Sequence, residues 1–280
     1  MVALETGQYI GLIALGIGVG TYGTLIGAGG GFVLMPVLLL LYPNQNPELL
    51  TSISLAVVFF NAMSGSEAYA KMKRIDYRSG LLFAAAAVPG AVIGALNTAY
   101  VPRRLFDFIF GILLMATALF LIWQPKFFRN VLPKITENSS SHRAFRQLTD
   151  IHGTQYSYSF NPITGMGLSM FVGYVSSFLG IGGGIIHVPA LCYLLNFPVH
   201  IATATSHFIL AIMALSGTMV HVISGTFSHG VHRTIALVIG VMIGAQIGAR
   251  LSDHFNSNWI IRSLAVALGL VGLRILVTVF

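Results

Sequence analysis

Charge is what this chain has least of. Only 8% of its 280 residues are Asp, Glu, Lys or Arg, while 55% are hydrophobic. A water-soluble domain carries roughly a quarter charged residues. Too few side chains remain here to cover a surface in water, so the bilayer is the solvent. Cysteine is scarcer still: Cys192 stands alone in an apolar run, which excludes an internal disulfide and reads as a packed thiol. None of the 8 acidic residues falls deep inside an apolar run. Cation pumps and proton relays commonly place Asp or Glu there, so a cation is a poor candidate substrate. No Gly-x-Ser-x-Gly or His-Glu-x-x-His signature is present, and no nucleotide-binding P-loop. An enzyme is therefore not expected, and neither is a metal site or an organic cofactor. The opening "MVALETGQYIG" lacks a basic region and a small-residue cleavage site, so no removable signal is expected.

What is present is apolar and continuous. Eight stretches qualify for the roughly 20 residues a span needs: about 8–42, 50–70, 79–100, 104–123, 163–196, 201–224, 231–251 and 258–279. Outer-membrane barrels alternate polar and apolar residues and are excluded. The expected fold is an all-α integral membrane protein, multi-pass in the inner (plasma) membrane, with lipid as one partner.

The net charge of +7 is unevenly placed. Lys71, Lys73, Arg74 and Arg78 crowd one loop, and Lys126, Arg129, Lys134, Arg143 and Arg146 lie in the polar segment 124–160. Cytoplasmic loops collect Lys and Arg, so both loops should be cytoplasmic and 42–50, with neither residue, external. Topology explains this basic excess without nucleic acid as a partner. The charges of the second half leave its orientation open.

The chain repeats itself. With a shift of about 153, Gly27, Gly29–Gly31 and Pro36 fall on Gly180, Gly182–Gly184 and Pro189. Ser54, Ser64 and Gly65 then fall on Ser206, Ser216 and Gly217, and "GAVIG" (90–94) falls on "GAQIG" (244–248). Four coincidences in the same order imply two homologous repeats of four segments. They occupy 1–123 and 163–280, joined by a basic linker, 124–162, with too little apolar material for a core and room for a surface helix. If each glycine segment crosses once, the repeats are parallel. If each turns back as a hairpin, they are inverted, with three crossings each. Eight spans with both termini cytoplasmic is the favoured arrangement, although 32–42 is too short to span.

A glycine run frees backbone from helical hydrogen bonds, and irregular backbone in hydrocarbon survives only against protein or a wet cavity. A helix restarting after the break offers unpaired N–H groups and the positive end of its dipole, a site for an anion. Gly29, Gly30, Gly31, Gly182, Gly183 and Gly184 are thus expected to line a substrate site. Gly16/Gly20, Gly90/Gly94 and Gly240/Gly244/Gly248 have the spacing of close helix packing. "GAGGGFVLMP" and "GIGGGIIHVP", with "ATATS" (202–206), resemble the sulfite exporter TauE/SafE family of membrane permeases over nearly the whole chain. The resemblance implies transport of sulfur-containing anions such as sulfite, sulfonates or sulfoacetate. "TSISL" (51–55) stands where the second repeat has "ATATS", so the halves are not equivalent.

Thr203, His207, Leu210, Ala214, Gly217 and His221 form one helical face, and Ser54, Asn61 and Ser64 a stripe in the first half. Ser54 and Ser206, matched beside the glycine breaks, are candidates for ligand contact. His207 is a candidate for anion contact or for coupling to a proton or another ion. His187 directly follows the second break. His221 is expected near the cytoplasmic end. Glu67–Lys71 and Asp107–Arg103 read as interfacial ion pairs. Which anion, in which direction, and in what oligomer the sequence leaves open.

Overall fold

A computed structural model describes residues 6–123, 143–252 and 257–279. The first glycine-containing run folds as two helices, α1 (Thr6–Ile26) and α2 (Gly31–Leu41), followed by α3 (Pro47–Lys71), α4 (Tyr77–Thr98) and α5 (Arg103–Trp123). The second half repeats the series: α6 (Pro162–Leu179), α7 (Gly184–Leu194), α8 (Val199–Ile223), α9 (Val231–Leu251) and α10 (Ser257–Val279). Both short helices have 11 residues and both α3 and α8 have 25. Among the described residues, six helices (α1, α3, α4, α6, α8 and α9) are long and apolar enough to cross a membrane. Large apolar side chains such as Ile93, Phe171 and Ile243 are exposed along their flanks, as a lipid-facing surface requires.

Chain direction follows from the packing. Glu48 at the start of α3, Arg103 at the start of α5 and His221 at the end of α8 gather at one end, here called the acidic end. The 71–78 loop and residues 143–160 gather at the opposite, basic end, where Arg74 lies 3.5 Å from Asp150 and the Ile151 amide donates to the Met72 carbonyl. Helix α3 runs antiparallel to α8: Leu55 meets Gly217 and Gly65 meets His207. Helices α5 and α10 are also antiparallel, with Gly111 against Leu276 and Gly269 against Ala118. Helix α1 runs parallel to α9, and α4 parallel to α6, each pair seamed by glycine. Consequently α1, α3, α5 and α9 run from the acidic end to the basic end, and α4, α6, α8 and α10 run back. Helix α2 returns to the acidic end beside Arg103, whose guanidinium donates to the carbonyls of Leu39 and Gln45 (3.2 and 2.7 Å). A cation there suits the negative end of the α2 dipole.

The same contacts occur twice. Gly90 packs on the Met170 carbonyl and the Tyr174 amide, while Gly244 packs on the Ile17 carbonyl and the Thr21 amide. Gly94 meets the Tyr174 carbonyl and Gly248 the Thr21 carbonyl. Each of these contacts has its counterpart displaced by about 153 residues. The small-xxx-small spacings read from the sequence are therefore packing seams, as expected.

Three expectations change. The glycine segments turn back: α1 begins and α2 ends at the acidic end, because 11 residues rise only about 16 Å. The start of α1 (Tyr9, beside His232) and the end of α10 both lie at the acidic end, opposite the basic loops, so the favoured arrangement with termini on the basic side does not hold. The chain is also not purely helical. The described part of the linker is a hairpin, β1 (Ala144–Thr149) and β2 (Gln155–Phe160), rather than a surface helix. Tyr158 and Phe160 are buried, and their rings pack on Phe197. Lys126, Arg129 and Lys134 lie outside the described residues.

Candidate functional site

The two glycine breaks are helical-hairpin tips, and they meet. At the first tip the Ala28 amide donates to the Gly23 carbonyl (2.8 Å), and Gly30, at φ +78°, turns the chain into α2. At the second, Gly183, at φ +61°, opens α7 in the same way. That left-handed conformation is strained for any side chain bearing a Cβ. The tips then touch backbone to backbone. A Cβ on Gly31 would lie 2.7 Å from the Ile181 carbonyl, and one on Gly184 would lie 2.5 Å from the Gly27 carbonyl. Gly29 and Gly182 both abut Val58, halfway along α3. Neither short helix has a side-chain cap on its first amides. Each instead presents its positive end beside a carbonyl of the other tip.

Fully buried polar side chains crowd the first tip. The Thr24 hydroxyl donates to Asn61 Oδ1 (3.1 Å), and the Tyr69 hydroxyl donates to the Thr24 carbonyl (2.8 Å). His207 lies against Gly65, its ring edge-on to Tyr69 at 5.5 Å. Thr203, which contacts Gly27, shares a helix face with Ser206. Asn61 Nδ2 and Ser206 Oγ have no hydrogen-bond partner, and the His207 ring lies against the backbone of Thr203 and Gly27. A buried polar group left unpaired costs about 1–3 kcal/mol. Together, beside an uncapped helix start, these groups form a place where an oxygen-rich anion would satisfy what the protein leaves open.

The sequence candidates divide on this geometry. Gly29–Gly31, Ser206 and His207 come together at the first tip, and Gly182–Gly184 abut it. Ser54 is also fully buried, but its hydroxyl donates to the Gly180 carbonyl at 2.5 Å. That proton is committed to holding the second tip, so Ser54 cannot donate it to a ligand while the bond stands. His187 is buried, with Nε2 3.1 Å from the Ser169 hydroxyl. His221 is buried beside Glu48 at the acidic end, not at the basic end where it was expected. Glu67–Lys71 and Asp107–Arg103 are ion pairs at 2.7 Å, as read from the sequence. Thr24 and Tyr69 were missed as site residues. The shift that aligns the glycines also aligns Thr24 with Ser177, a signal that was there to use. Among the described residues no group of three or more His, Cys, Asp or Glu could hold a metal ion.

The basic end is strapped. The Tyr158 hydroxyl donates to Asp76 (2.7 Å), which also accepts from the Ser79 amide at the start of α4, and Arg146 lies 3.7 Å away. Burial first, and then the Asp76 carboxylate, push the Tyr158 phenol above its ordinary value. In the hairpin turn Asp150 accepts from the His152 and Thr154 amides, both at 2.9 Å. Burial opposes its charge, but those two amides and Arg74 outweigh burial and hold its carboxyl below the ordinary value.

Comparison with known proteins gives the family. The family model for the sulfite exporter TauE/SafE matches residues 12–275. The probable membrane transporter protein YunE of Bacillus subtilis is 32% identical over 275 residues, covering 96% of this chain and 97% of its own. A probable membrane transporter protein of Methanocaldococcus jannaschii is 24% identical, over 77% of this chain and 73% of its own. No solved structure matches.

Proposed function

The chain belongs to the sulfite exporter TauE/SafE family and is a multi-pass membrane transporter, not an enzyme; on that premise we propose that it moves small sulfur-containing oxyanions through a site at the two hairpin tips. The architecture proposed is two inverted repeats, 1–123 and 163–280. Each has one hairpin (α1–α2 or α6–α7) and three crossings (α3–α5 or α8–α10). The recurrence of the glycine contacts under one shift, with reversed helix directions, supports it. Transporters of this plan bind substrate at the repeat interface near the midplane and rock one repeat against the other. With the basic end cytoplasmic by its Lys and Arg, the first hairpin enters from outside and the second from inside.

One observation carries the substrate class: buried neutral donors without partners, Ser206 and Asn61, with the His207 ring next to them, beside the positive end of α2. An oxyanion entering this site must replace the hydrogen bonds it made to water. Neutral donors and helix amides do so without a Lys or Arg that would hold the ligand too firmly. Ser54 is assigned the holding of the second tip. The test is purified protein in liposomes, with exchange of labelled sulfite, sulfoacetate, thiosulfate and chloride across the membrane. Saturable exchange of a sulfur oxyanion over chloride is expected. Conductive chloride flux without saturation would make the protein a channel and end this reading.

A further inference from the structure

At the acidic end a cavity of about 650 Å³ opens between the start of α3 and the turn after α8, lined by Asn46, Glu48, Ser224, Thr226 and His229. Glu48 sits at its inner edge, 23% exposed, with one oxygen accepting from the Thr226 hydroxyl at 2.7 Å. Behind it His221 is 1% exposed, with Nδ1 3.8 Å from Glu48. The other ring nitrogen, Nε2, is buried and has no partner. One helical turn deeper, Gly217 packs on the unpartnered hydroxyl of Ser177, three residues before the second tip. A carboxylate in contact with a wet cavity, an imidazole behind it and an open nitrogen behind that form a line from the cavity toward the tip.

We propose that Glu48 and His221 are the proton-coupling pair of this transporter. The proposal rests on the transport reading above. Glu48 takes a proton from water in the cavity and passes it to His221 Nδ1, leaving carboxylate beside imidazolium. The imidazolium then gives its Nε2 proton to water that reaches this nitrogen when the second tip opens to the inner side, and the ring turns over to present a bare nitrogen to Glu48 again, so one proton enters and one leaves each cycle. The added positive charge at the second tip favours an anion there, and its loss favours release. No other carboxylate is paired with His221 among the described residues. The remaining charged and titratable groups around the cavity are His229 on the turn, His232 (3.4 Å from the Tyr9 hydroxyl), Arg233 over the Tyr42 ring at 4.1 Å, and the Arg103–Asp107 pair. None of these lies between the cavity and the tip, as the Glu48–His221 pair does.

The test uses purified protein in liposomes with sulfite as probe and two readouts. One is exchange of labelled for unlabelled sulfite at equal pH, which needs no net proton movement. The other is net uptake driven by an imposed pH difference of either sign. Failure of exchange in the unaltered protein would defeat the transport reading itself, whatever the variants do. Given exchange, Glu48→Gln keeps the acceptor for Thr226 and should leave exchange intact. It should cut pH-driven uptake by at least about tenfold, the loss typical of a removed proton-transfer group. His221→Gln should do the same, and Glu48→Asp should recover part of the uptake. Full pH-driven uptake in Glu48→Gln would overturn the proposal. So would equal loss of exchange and uptake, or net uptake in the unaltered protein that follows a sodium gradient and ignores pH.

Discussion

The two hairpin tips share a backbone and differ in chemistry. Gly27 packs on Thr203 and Gly180 on Thr51, and Gly65 packs on Thr24 as Gly217 packs on Ser177. At those matched positions, however, the first tip has Asn61, Tyr69 and His207 where the second has Met213, His221 and Leu55. At these positions the first tip has polar side chains where the second has His221 and two apolar ones, although the hydroxyls of Thr51, Ser176 and Ser177 beside the second tip also lack partners. The mouths differ in the opposite sense. The basic end, nearer the first tip, is strapped by the β-hairpin through Asp76 and Arg74. The acidic end, nearer the second tip, opens into a polar cavity. The backbone around both tips packs in the same way. Asymmetric side chains give the two tips different chemistry.

The hardest blow to the comparison would fall on what the tips share. Gly31→Ala and Gly184→Ala each drive a Cβ into backbone at 2.7 Å or less, which no rotamer can relieve. Both should abolish anion exchange, while Gly18→Ala, with nothing within 4 Å, should leave it unchanged. Tolerance of one tip substitution but not the other would break the equivalence of the tips. The next effect falls on what the tips do not share. His207→Leu and Asn61→Met place second-half residues at the first tip. Each should weaken sulfite binding ten- to a hundredfold, since a hydrogen bond to a charged group is worth about 1.5–3 kcal/mol. Ser206→Ala should match them, whereas Ser54→Ala, whose proton is committed to Gly180, should leave affinity unchanged. Calorimetric titration of the detergent-solubilised protein reads these out. Equal affinity in all four variants would return these residues to helix packing.

Much of this was legible in the sequence because membrane proteins write their solvent into composition. The apolar runs gave the helices, and the duplicated "GAGGG" and "GIGGG" located both tips. The placement of Lys and Arg put residues 71–78 and 143–146 at one end, where they meet. Helix direction was not legible: 163–196 is long enough to span, and only packing shows that Gly184 turns it back onto Ala28. The pairing of Glu48 with His221 joins residues 173 positions apart, beyond any local pattern. The β-hairpin is different, because its signal was there. Tyr156, Tyr158 and Phe160 alternate on one face after a turn at Gly153, the period-two pattern of a strand. Reading the whole segment as basic linker hid it.

The smallest expected effect tests the strap that separates the two mouths. Asp150 holds the hairpin turn by accepting two amides, and it faces Arg74 from a side chain only 1% exposed. Its carboxyl titrates below the ordinary 3.8, so the folded turn favours the charged form. The sign follows directly: this contribution is fully present above the unfolded value and is lost as pH falls through the lowered one. Protection of the His152 and Thr154 amides from hydrogen exchange, corrected for intrinsic rates, should thus be constant from pH 8 to about 5 and decline only below about 4. Asp150→Asn keeps an acceptor oxygen but not the charge. It should open the turn roughly fivefold more often at pH 7, the difference between a charged and a neutral acceptor, and should lose the decline at low pH. Trypsin added to inside-out vesicles should then cut at Arg146 faster in the variant, and in right-side-out vesicles at neither. A decline centred well above pH 5, or cleavage only from outside, would place the strap on another group or at the other mouth.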